Sequence, residues 1–174
     1  HQLIHLRDTI NPDVIGIQET KVNDPEFPID EIKKIGYHPE FWGQKGHYGV
    51  AILSKKKPEN VQKGFVGDSE DDQKRFIQDT FKWKRKKITI MNGYFPQGEN
   101  RSHETKFPKK IKFYDDLKNH IKKLKKVEEN LIVMGDFNVA PTELDIGIGE
   151  QNAKRWLRDG KTAFLPEEIE MWNK

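Results

Sequence analysis

The chain has 174 residues, enough for one domain with a real core. Apolar residues make up 34% and charged residues another 34%, which is polar for a globular domain but short of disorder, because aromatics reach 10% and apolar runs recur. Cysteine is absent, which excludes a disulfide framework and a thiolate metal site, and no apolar stretch is long enough to read as a membrane span. Net charge is +3, yet the basic residues are clustered at Lys55–Lys57, Lys82–Lys87 and Lys118–Lys126. Such runs fit a polyanion partner, or simply a solvated lysine-rich surface.

In chain order, Leu3, Ile4, Leu6 and Ile10 predict the tail of an amphipathic helix, closed before Asn11-Pro12. A strand follows over 13–18, then a loop at Asp24–Pro28. Ile29, Ile32 and Ile35 recur every three residues and Gly36 stops them, so a short helix is expected. Tyr37–Phe41 reads as a strand, Trp42–Gly49 as a Gly-rich hairpin turn, and Val50–Ser54 as the next strand. Phe65–Gln73 is acidic and loop-like. Ile77, Phe81 and Trp83 share one face of an extended stretch, with Asp79 the polar exception on that face. The basic turn Lys84–Lys87 hands over to a strand at 88–92, which makes a hairpin. After a polar loop at 98–105, a helix is expected from Pro108 to about Val127. Its buried stripe is Ile111, Tyr114, Leu117, Ile121 and Leu124, and its other face is almost all lysine. A strand at 131–134, a loop at Leu144–Gly149 and a short helix at Glu150–Arg158, stopped by Gly160, complete the series. No internal repeat or linker is visible, so one domain is expected.

The most informative stretch is Asn130–Pro141, Asn-Leu-Ile-Val-Met-Gly-Asp-Phe-Asn-Val-Ala-Pro. The apolar run 131–134 suits a strand buried on both faces. Residues two apart on extended backbone point the same way, so Asp136 and Asn138 would project together from its end, where open α/β sheets place ligands. An Asx turn closing the strand is the plainer reading of the same residues. The strand at 13–18, also read as buried on both faces, runs into Gln18, Glu19 and Thr20. Two strands delivering carboxylates to one edge make a hard, oxygen-rich site of the kind that suits Mg²⁺ or Mn²⁺. A third strand runs into Asn92-Gly93-Tyr94-Phe95-Pro96-Gln97-Gly98.

Glu19 in Gln-Glu-Thr, Tyr94 in Asn-Gly-Tyr-Phe-Pro-Gln-Gly, and Asp136 with Asn138 in Gly-Asp-Phe-Asn resemble the motifs of the exonuclease III family. These are bacterial DNA-repair nucleases of the endonuclease/exonuclease/phosphatase superfamily. The stretch from Leu144-Asp145-Ile146-Gly147-Ile148-Gly149-Glu150 to Phe164-Leu165-Pro166-Glu167-Glu168 is similar to that branch more than to other members. The resemblance implies an incomplete DNase I-like fold, a four-layer α/β sandwich of two mixed sheets flanked by helices. It also implies a single domain over residues 1–174 truncated at both ends, because the family's first strand and its closing Asp-His pair have no match here.

The activity implied is Mg²⁺-dependent phosphodiester hydrolysis (Mn²⁺ as an alternative), cutting at abasic sites and trimming 3′ ends of double-stranded DNA. A cytoplasmic bacterial protein is implied, monomeric when full-length and without a membrane partner. Glu19, Asp136 and Asn138 would form the metal side of the site. Tyr94 would contact the scissile phosphate, or be a packed aromatic with a wet hydroxyl. Asp136 would orient or deprotonate water, or protonate the leaving group, and Asn138 would donate to developing charge. Gly43, Gln44, Lys45 and Gly46 of the Gly-rich turn, through backbone amides and the lysine, would approach a DNA phosphate. Arg75 and Gln97 are further DNA contacts. His38, His47, His103 and His120 match no motif and read as surface or DNA-facing residues. The alternatives are a DNA-binding fragment without turnover and a phosphatase of the same superfamily.

Overall fold

The computed structural model describes residues 2–69, 71–126 and 130–174. They fall into two compact units, His1–Tyr94 with Leu124–Asp136, and Phe95–Lys123 with Phe137–Lys174.

The first unit holds two sheets. In one, β3 (Val50–Ser54) lies between β1 (Val14–Gln18) and β2 (His38–Trp42), antiparallel to both. In the other, β4 (Asn60–Lys63), β5 (Phe76–Trp83), β6 (Lys86–Tyr94) and β7 (Leu131–Asp136) lie side by side in chain order. The first three of these are antiparallel and β6 and β7 run parallel. "Mixed" therefore describes the four-stranded sheet, while the three-stranded sheet is antiparallel throughout. A parallel pair needs a long crossover, and the connection from β6 to β7 contains the longest helix among the described residues.

The apolar run of β3 is buried at every position, and its alternation serves two clusters. Val50 and Ile52 join Trp42, Ile77, Phe81 and Ile90 between the sheets. Ala51 and Leu53 face the other way, onto Phe27, Ile32 and Tyr37. Ile32 comes from α2 (Ile29–Lys34), the short helix expected from the isoleucine spacing. Burying one such Leu or Ile stabilises the fold by ~1.5–3 kcal/mol.

Several expectations need correction. β1 and β7 were expected to be buried on both faces, but both are half-buried, and Ile132 is 49% exposed. The reason is their place at a sheet end, with one hydrogen-bonded neighbour each among the described strands. The first helix, α1 (Gln2–Thr9), forms, but Ile4 and Ile10 are exposed and it buries no residue. β4 carries no strong alternation, so nothing in its sequence marks it as a strand. The basic turn between β5 and β6 is tighter than 84–87: Trp83 pairs with Lys86, leaving Lys84 and Arg85 as the turn, with Lys84 at φ 56°.

The second unit is built from α3 (Lys106–Leu124), α4 (Glu150–Arg158) and α5 (Pro166–Trp172). The expected end of α3 near 127 lies outside the described residues. Its start is two residues earlier than Pro108, which still falls in the first turn, where no amide is missed. Phe95 is its apolar centre, with the rings of Phe113, Tyr114 and Phe137 at 4.9, 4.9 and 4.7 Å. α5 was not anticipated, although Pro166 at its start and Glu167 and Glu168 in its first turn are helix-start signals.

Candidate active site

Glu19 follows β1 and Tyr94 ends β6, so two strands from different sheets bring these side chains together. The Tyr94 hydroxyl donates a short hydrogen bond to Glu19 Oε1. Lys21 Nζ sits 2.6 Å from Glu19 Oε2. Glu19 and Lys21 both have left-handed backbone, with φ 55° and 56°. That region is uncommon for side chains of this size and is found where surrounding structure holds the residue in place. Here the chain is tied down on both sides. The Thr20 amide donates to the Gly49 carbonyl at 3.2 Å and the Lys21 amide to the Tyr48 carbonyl at 3.0 Å.

The electrostatics follow. Lys21 first, then the Tyr94 hydroxyl, hold the Glu19 carboxyl below its usual range, so it is ionised at neutral pH. Burial first, then the bond to Glu19, push the Tyr94 phenol up to about 12, and the negative charge of Asp136 adds to this. Tyr94 therefore keeps its proton and acts as a donor.

Asp136 reaches Tyr94 through strand register. In the parallel pair Tyr94 lies opposite Asp136, and Gly93 opposite Gly135. A Cβ on Gly135 would stand 2.0 Å from the Gly93 carbonyl oxygen, so only glycine permits this approach of the strands one residue before the site. Beneath it, fully buried Asn92 ties the sheets together. Its Nδ2 donates to the carbonyls of Ile17 and Ala51, both at 2.9 Å, and its Oδ1 accepts from Gln18 Nε2 at 2.6 Å. Sequence reasoning missed Asn92 as a positioning group. The signal was a polar residue inside an apolar strand run, directly before Gly93.

Arg75 clamps Tyr94 from the side. Its guanidinium carbon lies 4.2 Å from the centre of the Tyr48 ring and 4.7 Å from that of Tyr94. Its Nη1 donates to the Tyr94 carbonyl at 3.0 Å and its Nε to Gln73 Oε1 at 2.7 Å, while Gln73 donates to the Tyr48 hydroxyl at 2.8 Å. Expected as a DNA contact, Arg75 is half-buried and engaged in orienting Tyr94.

The Gly-rich turn forms the β2–β3 hairpin as expected. Its amides, however, are largely committed inside the protein. Gly43 N donates to Asp24 Oδ1 at 2.6 Å, Lys45 N to Asn23 Oδ1 at 2.9 Å, and Gly46 N to the Lys21 carbonyl at 3.1 Å. The Gln44 side chain accepts from Lys74 N at 3.1 Å. The amides of Gly43, Lys45 and Gly46 are thus engaged within the protein, and the exposed Lys45 side chain is a cationic group that this turn presents to solvent. A Cβ on Gly43 would lie 2.3 Å from the Val22 carbonyl, so this glycine is there for close approach.

Asn138 lies in the second unit, two residues beyond Asp136. It too has left-handed backbone, φ 52°, and its Nδ2 donates to the Phe95 carbonyl at 2.9 Å. The side chain of Gln97 accepts from the Glu99 amide at 2.8 Å. His38 and His47 are exposed, as read from the sequence.

For a divalent metal, the donor chemistry of Glu19 fits: an ionised, solvent-facing carboxylate offering hard oxygen. Among the described residues no group of three or more His, Asp or Glu side chains converges to hold an ion. Mg²⁺ is commonly held by one or two carboxylates plus waters and substrate phosphate, and Glu19 could supply one such carboxylate.

The description Endonuclease/Exonuclease/phosphatase family matches residues 1–171. The chain is 51% identical over 168 residues to exodeoxyribonuclease III of Haemophilus influenzae, covering 97% of this chain and 63% of that protein. Among solved structures, a 3′–5′ exonuclease from Neisseria meningitidis superposes with TM-score 0.86 at 27% identity, over 99% of this chain and 63% of that one. An AP endonuclease from Archaeoglobus fulgidus does so with TM-score 0.81 at 29% identity, over 98% and 62%. The chain thus spans under two thirds of the length of these relatives. These superpositions bear out the DNase I-like α/β fold expected from the sequence. With that fold, the strand-end carboxylate and tyrosine in place and a family match along nearly its whole length, the chain belongs to the Endonuclease/Exonuclease/phosphatase family.

Proposed function

We propose that the chain forms part of a DNA-repair nuclease that hydrolyses phosphodiesters with Mg²⁺, cutting beside abasic sites and trimming 3′ ends of double-stranded DNA. The observation that carries this is the Tyr94–Glu19–Lys21 constellation: a phenol that stays protonated beside a carboxylate that stays ionised. The kinship with exodeoxyribonuclease III and an AP endonuclease supports a DNA substrate.

In this reading, Glu19 and Asp136, the latter opposite Tyr94 in the strand register, would be the carboxylate side of a Mg²⁺ site, and Asn138 follows two residues later in the chain. The cation supplies charge neutralisation at the phosphate oxygens. Tyr94 donates to a non-bridging phosphate oxygen, held by Arg75 in one orientation. Asp136 orients or deprotonates the attacking water, or protonates the leaving oxygen, and Asn138 donates to developing charge. Lys45 is the contact that the Gly-rich turn offers the DNA backbone, and Gln97 is a separate proposed contact. The family match over residues 1–171 supports one domain. A bacterial cytoplasmic protein, monomeric in its complete form, fits the same kinship.

The test is cleavage of a duplex carrying one stable abasic analogue, with Mg²⁺ and with EDTA. Tyr94→Phe and Glu19→Gln should each lower kcat at least tenfold with duplex affinity retained. Binding without Mg²⁺-dependent cleavage would instead establish a non-catalytic DNA-binding chain. Release of phosphate from inositol phosphates in preference to DNA would establish a phosphatase.

A further inference from the structure

α3 presents a face of Lys110, Tyr114 and Leu117, spaced i, i+4, i+7, and all three are buried. A lysine on such a stripe is anomalous, since lysine is almost never fully buried without a partner. Lys110 is 0% exposed, and so is its partner Glu168 in α5. The Lys110 ammonium forms a short ion pair with Glu168 Oε1. It also donates to two backbone carbonyls, those of Asn138 at 2.7 Å and Gln97 at 3.3 Å. Those are the two residues of this unit that sequence reading places at the DNA.

Glu168 is held in turn. Its Oε2 accepts from the amides of Ala163 and Leu165, both at 2.8 Å. Ala163 then accepts from the Ala140 amide at 2.7 Å. The segment 138–140 is therefore gripped at two points by one network, at Asn138 through Lys110 and at Ala140 through Ala163. Asn138 has a left-handed φ of 52°, a region asparagine visits more readily than other residues with a side chain, and the two grips fix the backbone on either side of it in that one conformation. A buried ion pair is weak evidence for stability, because a hydrophobic pair of the same volume often serves as well or better. Its two extra donations to carbonyls are what an apolar replacement cannot supply.

The geometry points to Lys110, oriented by Glu168, as a positioning residue that sets the backbone of Asn138 and Gln97 for the reaction, without itself touching DNA. This rests on the proposed nuclease function. The test is the double variant Lys110→Met/Glu168→Gln in the full chain. It removes both charges, keeps the lysine stem as methionine, and keeps an acceptor for the Ala163 and Leu165 amides. Three readouts are taken: melting temperature, kcat and KM on an abasic duplex with Mg²⁺, and the NMR signals of the Asn138 side-chain amide. The expected result is a folded variant with kcat down at least tenfold, KM within about twofold, and displaced Asn138 signals. A folded double variant with wild-type kcat and unmoved Asn138 signals overturns the proposal. Glu168→Gln alone leaves Lys110 on both carbonyls, so it should lose clearly less kcat than the double variant; an equal loss also overturns it. Should the complete protein that carries this chain not cleave DNA at all, the nuclease reading fails, and displacement of the Asn138 signals alone decides the positioning role.

Discussion

At the scale of single residues, the structure puts one carboxylate where none is expected to survive. Asp79 of β5 lies on the face shared by Ile77 and Phe81, between the sheets, with 0% exposure and no hydrogen-bond partner at either oxygen. Burial first, then the nearby Glu40 carboxylate, push its pKa up to about 8. An unfolded aspartate titrates near ~3.9, so the folded state holds the proton over a range in which the unfolded chain releases it. The sign follows: the neutral carboxyl is tolerated fully at low pH, and stability falls as pH rises from about 4 to about 8, where the folded form must ionise as well. Asp79→Asn should flatten this pH dependence of the melting temperature. Asp79→Ala, which leaves no polar group to desolvate, should stabilise the protein at pH 8 by about 1–3 kcal/mol. A wild-type melting temperature that rises from pH 5 to 8 would contradict this account. Asp79 was visible in the sequence as the polar exception on an apolar face. Lys110 was not, because a lysine among lysines reads as solvated surface until the ring contacts of Phe95 and the position of Glu168 show that α3 buries that side.

At the scale of elements, the strands that carry the site were legible because apolar runs ending in polar clusters are a local pattern. Their limits were not, because Gly93, Tyr94, Gly135 and Asp136 look like loop chemistry and yet continue the ladder. What keeps them in register is partner-dependent: Gly135 lies against Gly93 of the neighbouring strand, and no local pattern encodes that pairing. Gly135 also has φ 141°, a region closed to ordinary side chains. Gly135→Ala should therefore destabilise by about 3 kcal/mol, from overpacking and backbone strain together. A shift of the urea midpoint to lower concentration, with unchanged slope, is the expected record. A midpoint within error of wild type would show that the strands can move apart freely. In the same way the acceptors of the Gly-rich turn's amides, the side chains of Asn23 and Asp24 and the Lys21 carbonyl, lie about twenty residues upstream, so sequence alone left the turn's amides looking available for phosphate.

At the scale of the whole molecule, net charge of +3 conceals clusters of lysine, and these, not the total, decide association with a polyanion. With about four phosphates neutralised, the slope of log K against log salt should be about −3.6, measured by fluorescence anisotropy with a duplex. A flat response would remove DNA as partner. The fold class and family were legible in the sequence because the motifs are spread along nearly the whole chain. The half-burial of β1 and β7 was not, since burial depends on which neighbours a strand finds.

The cross-sheet bonds of Asn92 carry a further consequence, one of chemical ageing. Asn92 is followed by Gly93, the neighbour that least hinders attack of the backbone nitrogen on the side-chain amide carbon. In the folded strand that attack is barred, because the amide is held by Ile17, Ala51 and Gln18 and the backbone is extended. An unfolded chain has no such protection. The aspartate formed on deamidation would aim a carboxylate at two carbonyls that need a donor, and the sheets could no longer close over it. Time spent unfolded at mildly alkaline pH, rather than the number of unfolding cycles, should then set how much protein returns. Mass spectrometry of the fraction that fails to refold should find the modification at Asn92, and Asn92→Gln, although a poorer fit to the sheets, should slow the loss.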